Sequence, residues 1–190
     1  KNIQNKLIFD IKSEMIKEIN KLKDELKDQK KVNENQMKAV EKEHVGVFAY
    51  QKGNEFHGII DHLTTQTGGN IHDNKTIEIT TNQYYTNNEP RYVVDYNTDN
   101  GFFSKDEDGC FLCFDFKDKL IQISDYSIKS YDQKINHCHP KNWVIEVSKN
   151  GEKWDEIDRH ENDPTLNRCR IIATFNIKKK IDYFYRFIRI

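Results

Sequence analysis

Glycine and proline are absent from the first 43 residues and aromatic side chains are reduced to Phe9, whereas all eight glycines, all three prolines and the other 21 aromatics follow. A stretch that long without breakers is free to run as one helix, while the remainder, rich in rings and turn formers, is not. The expected organisation is a helix over residues 1–44, a connector with a short helix over 45–70, and a β-domain over 71–190.

In the first part Ile8, Ile11, Met15, Ile19, Leu22 and Leu26 follow at steps of three and four, which keeps them on one helical stripe. Glu14/Lys17, Glu18/Lys21 and Glu34/Lys38 are spaced for attraction along the other faces. Beyond Leu26 the stripe weakens to Gln29, Asn33 and Gln36 before Met37 and Val40; polar seam residues cost stability but fix register and strand number. The 43 residues would reach about 60 Å as one helix. The reading is a coiled coil with Ile8, Met15, Ile19, Leu22 and Leu26 as its seam, pairing the chain with itself or a protein partner. The alternative is a solvated connector whose stripe docks on its own domain.

Charge excludes other classes. Thirty basic against 31 acidic residues leave a net charge of −1 and no whole-chain field to attract nucleic acid. No apolar run approaches bilayer length, so membrane insertion through a helix is not expected. The chain starts at Lys1 with no visible signal peptide, and an upstream leader would lie before that residue.

From residue 45 the period changes. Phe56, Ile59, Ile60 and Leu63 have helical spacing, with Gly68-Gly69 as the stop signal. Alternation follows: Ile77/Ile79, Leu112/Phe114/Phe116, Ile121/Ile123, Tyr126/Ile128, Trp143/Ile145/Val147 and Phe184/Arg186/Ile188 all step by two. Many short strands separated by Asn, Gly, Asp and Pro clusters mean an antiparallel sandwich or barrel. In VSKNGEKW, Asn150-Gly151 offers the positive φ angles of a tight hairpin turn that folds Trp154 back beside Trp143, both expected in the core.

At this hairpin the chain resembles the discoidin domains, also called coagulation factor V/VIII C-type domains. WVIEVSKNGEKWDEID is similar to their central hairpin, CFLCFDF to a strand ending in Asp-hydrophobic, and FYRFIRI to their late strand. GIIDHLTTQTGGNIHD, PRYVVDYNTDNGFFSKDEDG and NHCHPKNW are closer to intracellular discoidin-like proteins of protists. The resemblance covers residues 56–190 and implies a mainly β jelly-roll sandwich of about eight antiparallel strands, binding ligands without catalytic machinery. Such domains continue for one more strand after FYRFIRI; a chain ending at Ile190 is then expected to leave an open sheet edge, as a fragment would. Their secreted members tie the domain ends with a disulfide, whereas Cys110, Cys113, Cys138 and Cys169 lie elsewhere, which favours a reducing, cytoplasmic setting.

The resemblance also places three ligand loops at one end of the sandwich: NQYYTNNEPRY, DYNTDNGFF and YDQKINHCHPKN. From them Tyr84, Tyr85, Asn97, Asn100, His137 and His139 are the candidate binding residues. Tyrosine suits stacking on a sugar face or packing at a protein interface, and the histidines would make a contact pH-dependent. Asp95, Asn97, Thr98 and Asp99 offer oxygens where some relatives hold calcium, but Asp95-Tyr96 replaces the usual Asp-Gly and a solvated turn is expected. Cys110-x-x-Cys113 with His137-Cys138-His139 has zinc-like composition, but strand residues three apart face opposite ways, so free thiols are expected. No nucleophile–base pair or carboxylate pair stands out, so neither an enzyme nor a cofactor is expected. The leading reading is a cytoplasmic assembly module: a coiled coil for association, with loops for a protein or cytoskeletal partner. The alternative is a lectin-like domain that binds carbohydrate or another small ligand and is made multivalent by the helix.

Overall fold

The computed structural model describes residues 2–43, 47–96, 100–105, 107–131 and 139–190, with side chains of the N-terminal helix described over 11–31. The chain divides into two units, residues 1–46 and 47–190.

The first unit is one helix, α1 (Asn2–Glu43), 42 residues without interruption. Its stripe is open: Ile11, Met15, Ile19, Leu22 and Leu26 are 47–58% exposed, and Ile16 beside them 59%. Ile8, the first expected seam residue, has its side chain outside the described residues.

The second unit opens with α2 (Ile59–Thr67), capped at its end by Gly68, whose φ of 71° is costly for other L residues and whose N–H reaches Thr64 O. Seven strands follow: β1 (Glu78–Thr81), β2 (Leu112–Asp115), β3 (Asp125–Lys129), β4 (Trp143–Ser148), β5 (Asp155–His160), β6 (Ile172–Asn176) and β7 (Phe187–Arg189). A 3₁₀ helix, Pro90–Val94, sits between β1 and β2. Five strands form an antiparallel sheet in the order β1-β2-β7-β4-β5, and β3 pairs with β6 in a second. The mainly β antiparallel class expected from the sequence, preceded by a long helix, is what forms, with seven strands among the described residues where about eight are expected.

Alternation sets the core. Trp143, Ile145 and Val147 of β4 and Ile157 of β5 turn inward to meet Phe175 of β6, with Tyr126, Ile128 and Ala173 packed around them, so this cluster joins the two sheets. A second cluster packs Leu63 of α2 and Ile71, Ile77 and Ile79 against Val94, Leu112 and Phe116. Ile188 and Ile190 touch both clusters. Fully buried aliphatic side chains such as Ile71 and Val147 each contribute about 1.5–3 kcal/mol by leaving water.

The late FYRFIRI strand supplies β7, which lies in the middle of its sheet, pairing with β2 through Phe114↔Ile188 and with β4 through Val147↔Ile188, while β3 and β6 pair only with each other among the described residues. The hairpin is looser than the expected two-residue turn. Residues 149–154 connect β4 to β5, only Gly151 has positive φ (77°), and Asn150 Oδ1 accepts from the N–H groups of Glu152 and Lys153. Trp154 therefore stays half-buried outside the core, its ring 4.0 Å from the Arg189 guanidinium and its indole N–H donating to Gly151 O.

Polar groups inside the second unit set its response to acid. The Ile79 N–H donates to His72 Nδ1 at 3.1 Å, which requires a free ring lone pair, and burial pushes this histidine below its ordinary value of 6.5. Arg186 donates twice to Asp115, at 2.6 and 2.7 Å, and holds that carboxyl below the usual carboxylate range. Both folded-state values are depressed, so both contributions are complete above the unfolded value and lost as pH falls through the folded one. The melting temperature is expected to decline first below about pH 6.5 through His72 and again below about pH 4 through Asp115. Thermal melts between pH 8 and 3 check this; a flat profile from pH 8 to 5 would remove the histidine from the account.

Candidate functional site

The strand registers place Thr81, Leu112, Arg189, Trp143 and His160 at one end of the five-stranded sheet. At the same end of the second pair, Lys129 of β3 faces Ile172 of β6. The connections after β1, before β2, between β3 and β4 and after β5 therefore all leave from this end. The described residues of the three loops named from the sequence belong to these connections.

Where described, they are tied together. The Tyr85 N–H donates to Phe103 O at 3.1 Å, and Asn88 Nδ2 donates to Gly101 O at 3.0 Å, joining the first loop to the second. Asn82 clamps the root of the same pair, donating to Gly109 O and accepting from the Phe111 N–H. The second loop meets the third through Phe103 and Tyr131, whose rings pack edge to face at 4.7 Å. Gly101 permits that approach, because a Cβ there would fall 2.4 Å from the Tyr131 ring. Backbone tethering of this kind presents side chains from a fixed platform without adding to the core.

Tyr84 and Tyr85 emerge from the platform 42% and 52% exposed. Neither turns inward to close the sandwich. Asn100 is exposed on the adjoining loop and His139 is half-buried at the end of the third. Asn97 and His137 fall outside the described residues, as do Thr98 and Asp99 of the calcium reading and Cys138. Cys110 Sγ reaches the carbonyls of Lys105 and Glu107, while burial pushes the Cys113 thiol up. Among the described residues no group of three or more His, Cys, Asp or Glu side chains could hold a metal ion.

A polar cluster at the same end is not marked by any motif in the sequence. His160 stacks on Trp143 at 4.3 Å and 11°, with Nε2 3.0 Å from Asp158 Oδ2 and Nδ1 2.6 Å from Asp163 Oδ2. The Tyr126 O–H donates to the same Asp158 oxygen at 2.7 Å and accepts from the Trp143 indole at 2.8 Å. Bonds from Thr165 hold Asp163 below the usual carboxylate range, and burial, then Asp158, pushes the Tyr126 phenol up. The only sequence signal was Asp-x-His-x-x-Asp at 158–163, which carries no motif weight without the fold. On the outer face beside it lies an open cleft of about 630 Å³, lined in part by Phe111, Asn142, Glu146, Arg159 and Arg189. Its charges are spoken for: Arg189 bonds Glu146 and Arg159 bonds Glu156.

No family model matches this chain. No curated protein matches it either. Among solved structures it is similar to the module CpGH89CBM32-5 from Clostridium perfringens in complex with GalNAc-β-1,3-galactose, at 10% identity over 60% of this chain and 82% of that one, with a TM-score of 0.48. The family 32 module of NanJ from C. perfringens, in complex with galactose, is 12% identical over 60% and 80%, with a TM-score of 0.47. Chitosan-binding module 1 from a chitosanase/glucanase of Paenibacillus sp. IK-5 is 9% identical over 60% and 80%, with a TM-score of 0.44. These are loose likenesses of shape, and the site is read from its own geometry.

Proposed function

We propose that the second unit is a non-catalytic carbohydrate-binding module whose ligand meets Tyr84 and Tyr85. The observation that carries this reading is the pair itself: two adjacent rings, 42% and 52% exposed, held on a tethered platform among amide side chains. A pyranose offers a flat face of C–H groups that a tyrosine ring covers while its hydroxyl stays in water. Asn100 beside them supplies a donor and an acceptor for sugar hydroxyls. The similar modules named above are described as complexes with sugars or as chitosan-binding. A protein or cytoskeletal partner, the reading that leads in the sequence, would use the same rings as interface anchors. α1 would make either kind of binding multivalent by associating chains. Half-buried, unpaired Cys110 and Cys113 support a reducing, cytoplasmic setting.

The test is Tyr84→Ala/Tyr85→Ala against a panel of neutral and acidic oligosaccharides, with affinity and melting temperature both measured. Removing two stacking surfaces is expected to weaken glycan binding at least about tenfold with little change in melting temperature. Undiminished binding by a stable double mutant, or a wild type that binds no glycan, would overturn the reading; the second outcome returns the protein-partner alternative.

A further inference from the structure

The stripe of α1 obeys a stricter rule than amphipathicity. From Met15 onward its apolar positions step 4, 3, 4: Met15, Ile19, Leu22, Leu26. That is a heptad with Ile19 and Leu26 at a and with Met15 and Leu22 at d, a pattern found where two helices pack knobs into holes. Ile8 falls at d one heptad earlier, with Lys12 at the intervening a position.

The same register assigns the flanks. Ile11, Glu18 and Glu25 take the g positions, and Ile16, Lys23 and Lys30 the e positions. In a parallel pair, a g residue meets the e residue five places further along the partner. Each of the three pairs that this generates is complementary: Ile11 with Ile16, Glu18 with Lys23, Glu25 with Lys30. An antiparallel pair would set g against g and e against e, bringing Glu to Glu and Lys to Lys. The register also accounts for Ile11 and Ile16, which lie just outside the a/d seam and are 49% and 59% exposed.

We propose that α1 pairs with α1 of a second copy of this chain, parallel and in register, as a two-stranded coiled coil. This deepens, and rests on, the reading of α1 as an association element. The partner is self because the two flanks of one helix complement each other. Two strands are favoured by β-branched Ile19 at a with Leu22 at d. Both chains then leave the coiled coil at the same end of the helix pair.

Sedimentation equilibrium on the full chain reads the mass. The wild type should sediment at twice the chain mass and Leu22→Asp at the chain mass. Glu18→Lys/Glu25→Lys and Lys23→Glu/Lys30→Glu each turn the charged contacts repulsive and should weaken the dimer at least about tenfold at low salt. The fourfold swap combining them should return the dimer. A monomeric or trimeric wild type overturns the proposal, as does a dimer indifferent to Leu22→Asp. Charge variants with unchanged affinity overturn it too, since an antiparallel pair keeps like flanks facing in every case. The glycan reading fails or stands separately: Tyr84→Ala/Tyr85→Ala should keep the dimer mass, and monomeric Leu22→Asp should keep its per-site glycan affinity.

Discussion

Trp143→Ala is expected to unfold the β-domain while the helical signal of α1 persists. The ring is 8% exposed, stacked on His160 and set edge-on to Phe175 at 5.1 Å, so it fills the space where β4, β5 and β6 meet. Its indole N–H also donates to the Tyr126 hydroxyl. Truncating such a residue removes its transfer energy and leaves a cavity, together about 3–5 kcal/mol. Domains of this size have about 5–15 kcal/mol to lose, so a large part of the margin goes. Trp154→Ala is the built-in comparison. That ring is half-buried and covers Arg189 from outside, where a cation–π contact is worth about 0.5–2 kcal/mol. Far-ultraviolet melts of the two variants should therefore differ widely, with loss of the β transition only for Trp143. Equal losses would mean that Trp154 is as integral as the sequence pattern suggests.

The contrast between the two tryptophans shows what a sequence conveys and what it withholds. Period-two alternation marks β1, β2, β3, β4 and β7, most clearly β2 and β4, where apolar residues recur on one face over several steps. Ile121/Ile123 alternates without forming a strand, and Ile121 makes only an isolated bridge to Tyr185. Alternation passes over β5 and β6, since DEIDRH buries only Ile157 and IATFN only Phe175. A strand that contributes one fully buried side chain has no pattern to read; partners and register make it a strand. Trp154 is misleading for a related reason: it is the last residue of a six-residue connection rather than a strand residue after a two-residue turn, and its ring stays outside the core.

The candidate loops were legible only through resemblance. Nothing local to Tyr84, Asn100 or Tyr131 says that they share an end of the molecule. That follows from the antiparallel order of strands, and it is fixed in detail by Asn88, Phe103 and Gly101, which no spacing rule singles out. The apolar stripe of α1 stands at the opposite extreme. Its chemistry lies within one continuous helix, so the i, i+3, i+4 pattern exposed it directly, and the helix Asn2–Glu43 carries it unbroken.

Asp158→Ala is expected to cost roughly 2–4 kcal/mol, more than the loss of an ordinary exposed carboxylate. One oxygen of this side chain, which is 15% exposed, takes the Tyr126 O–H at 2.7 Å and lies 3.0 Å from His160 Nε2. Tyr126 comes from the two-stranded sheet and His160 from the five-stranded one, so the carboxylate ties the layers together. Its removal leaves a half-buried phenol without an acceptor, and that orphaned donor rather than the missing bond makes up much of the cost. The diagnostic is therefore a double-mutant cycle with Tyr126→Phe, which deletes the donor while keeping the ring stacked on Phe175 at 5.3 Å. Asp158→Ala in the Tyr126→Phe background should cost at least about 1 kcal/mol less than in the wild type, as coupled neighbours do. Denaturant melts of the four proteins measure it. Strict additivity would show that Asp158 acts through His160 alone and that the hydroxyl bond does not hold the two sheets together.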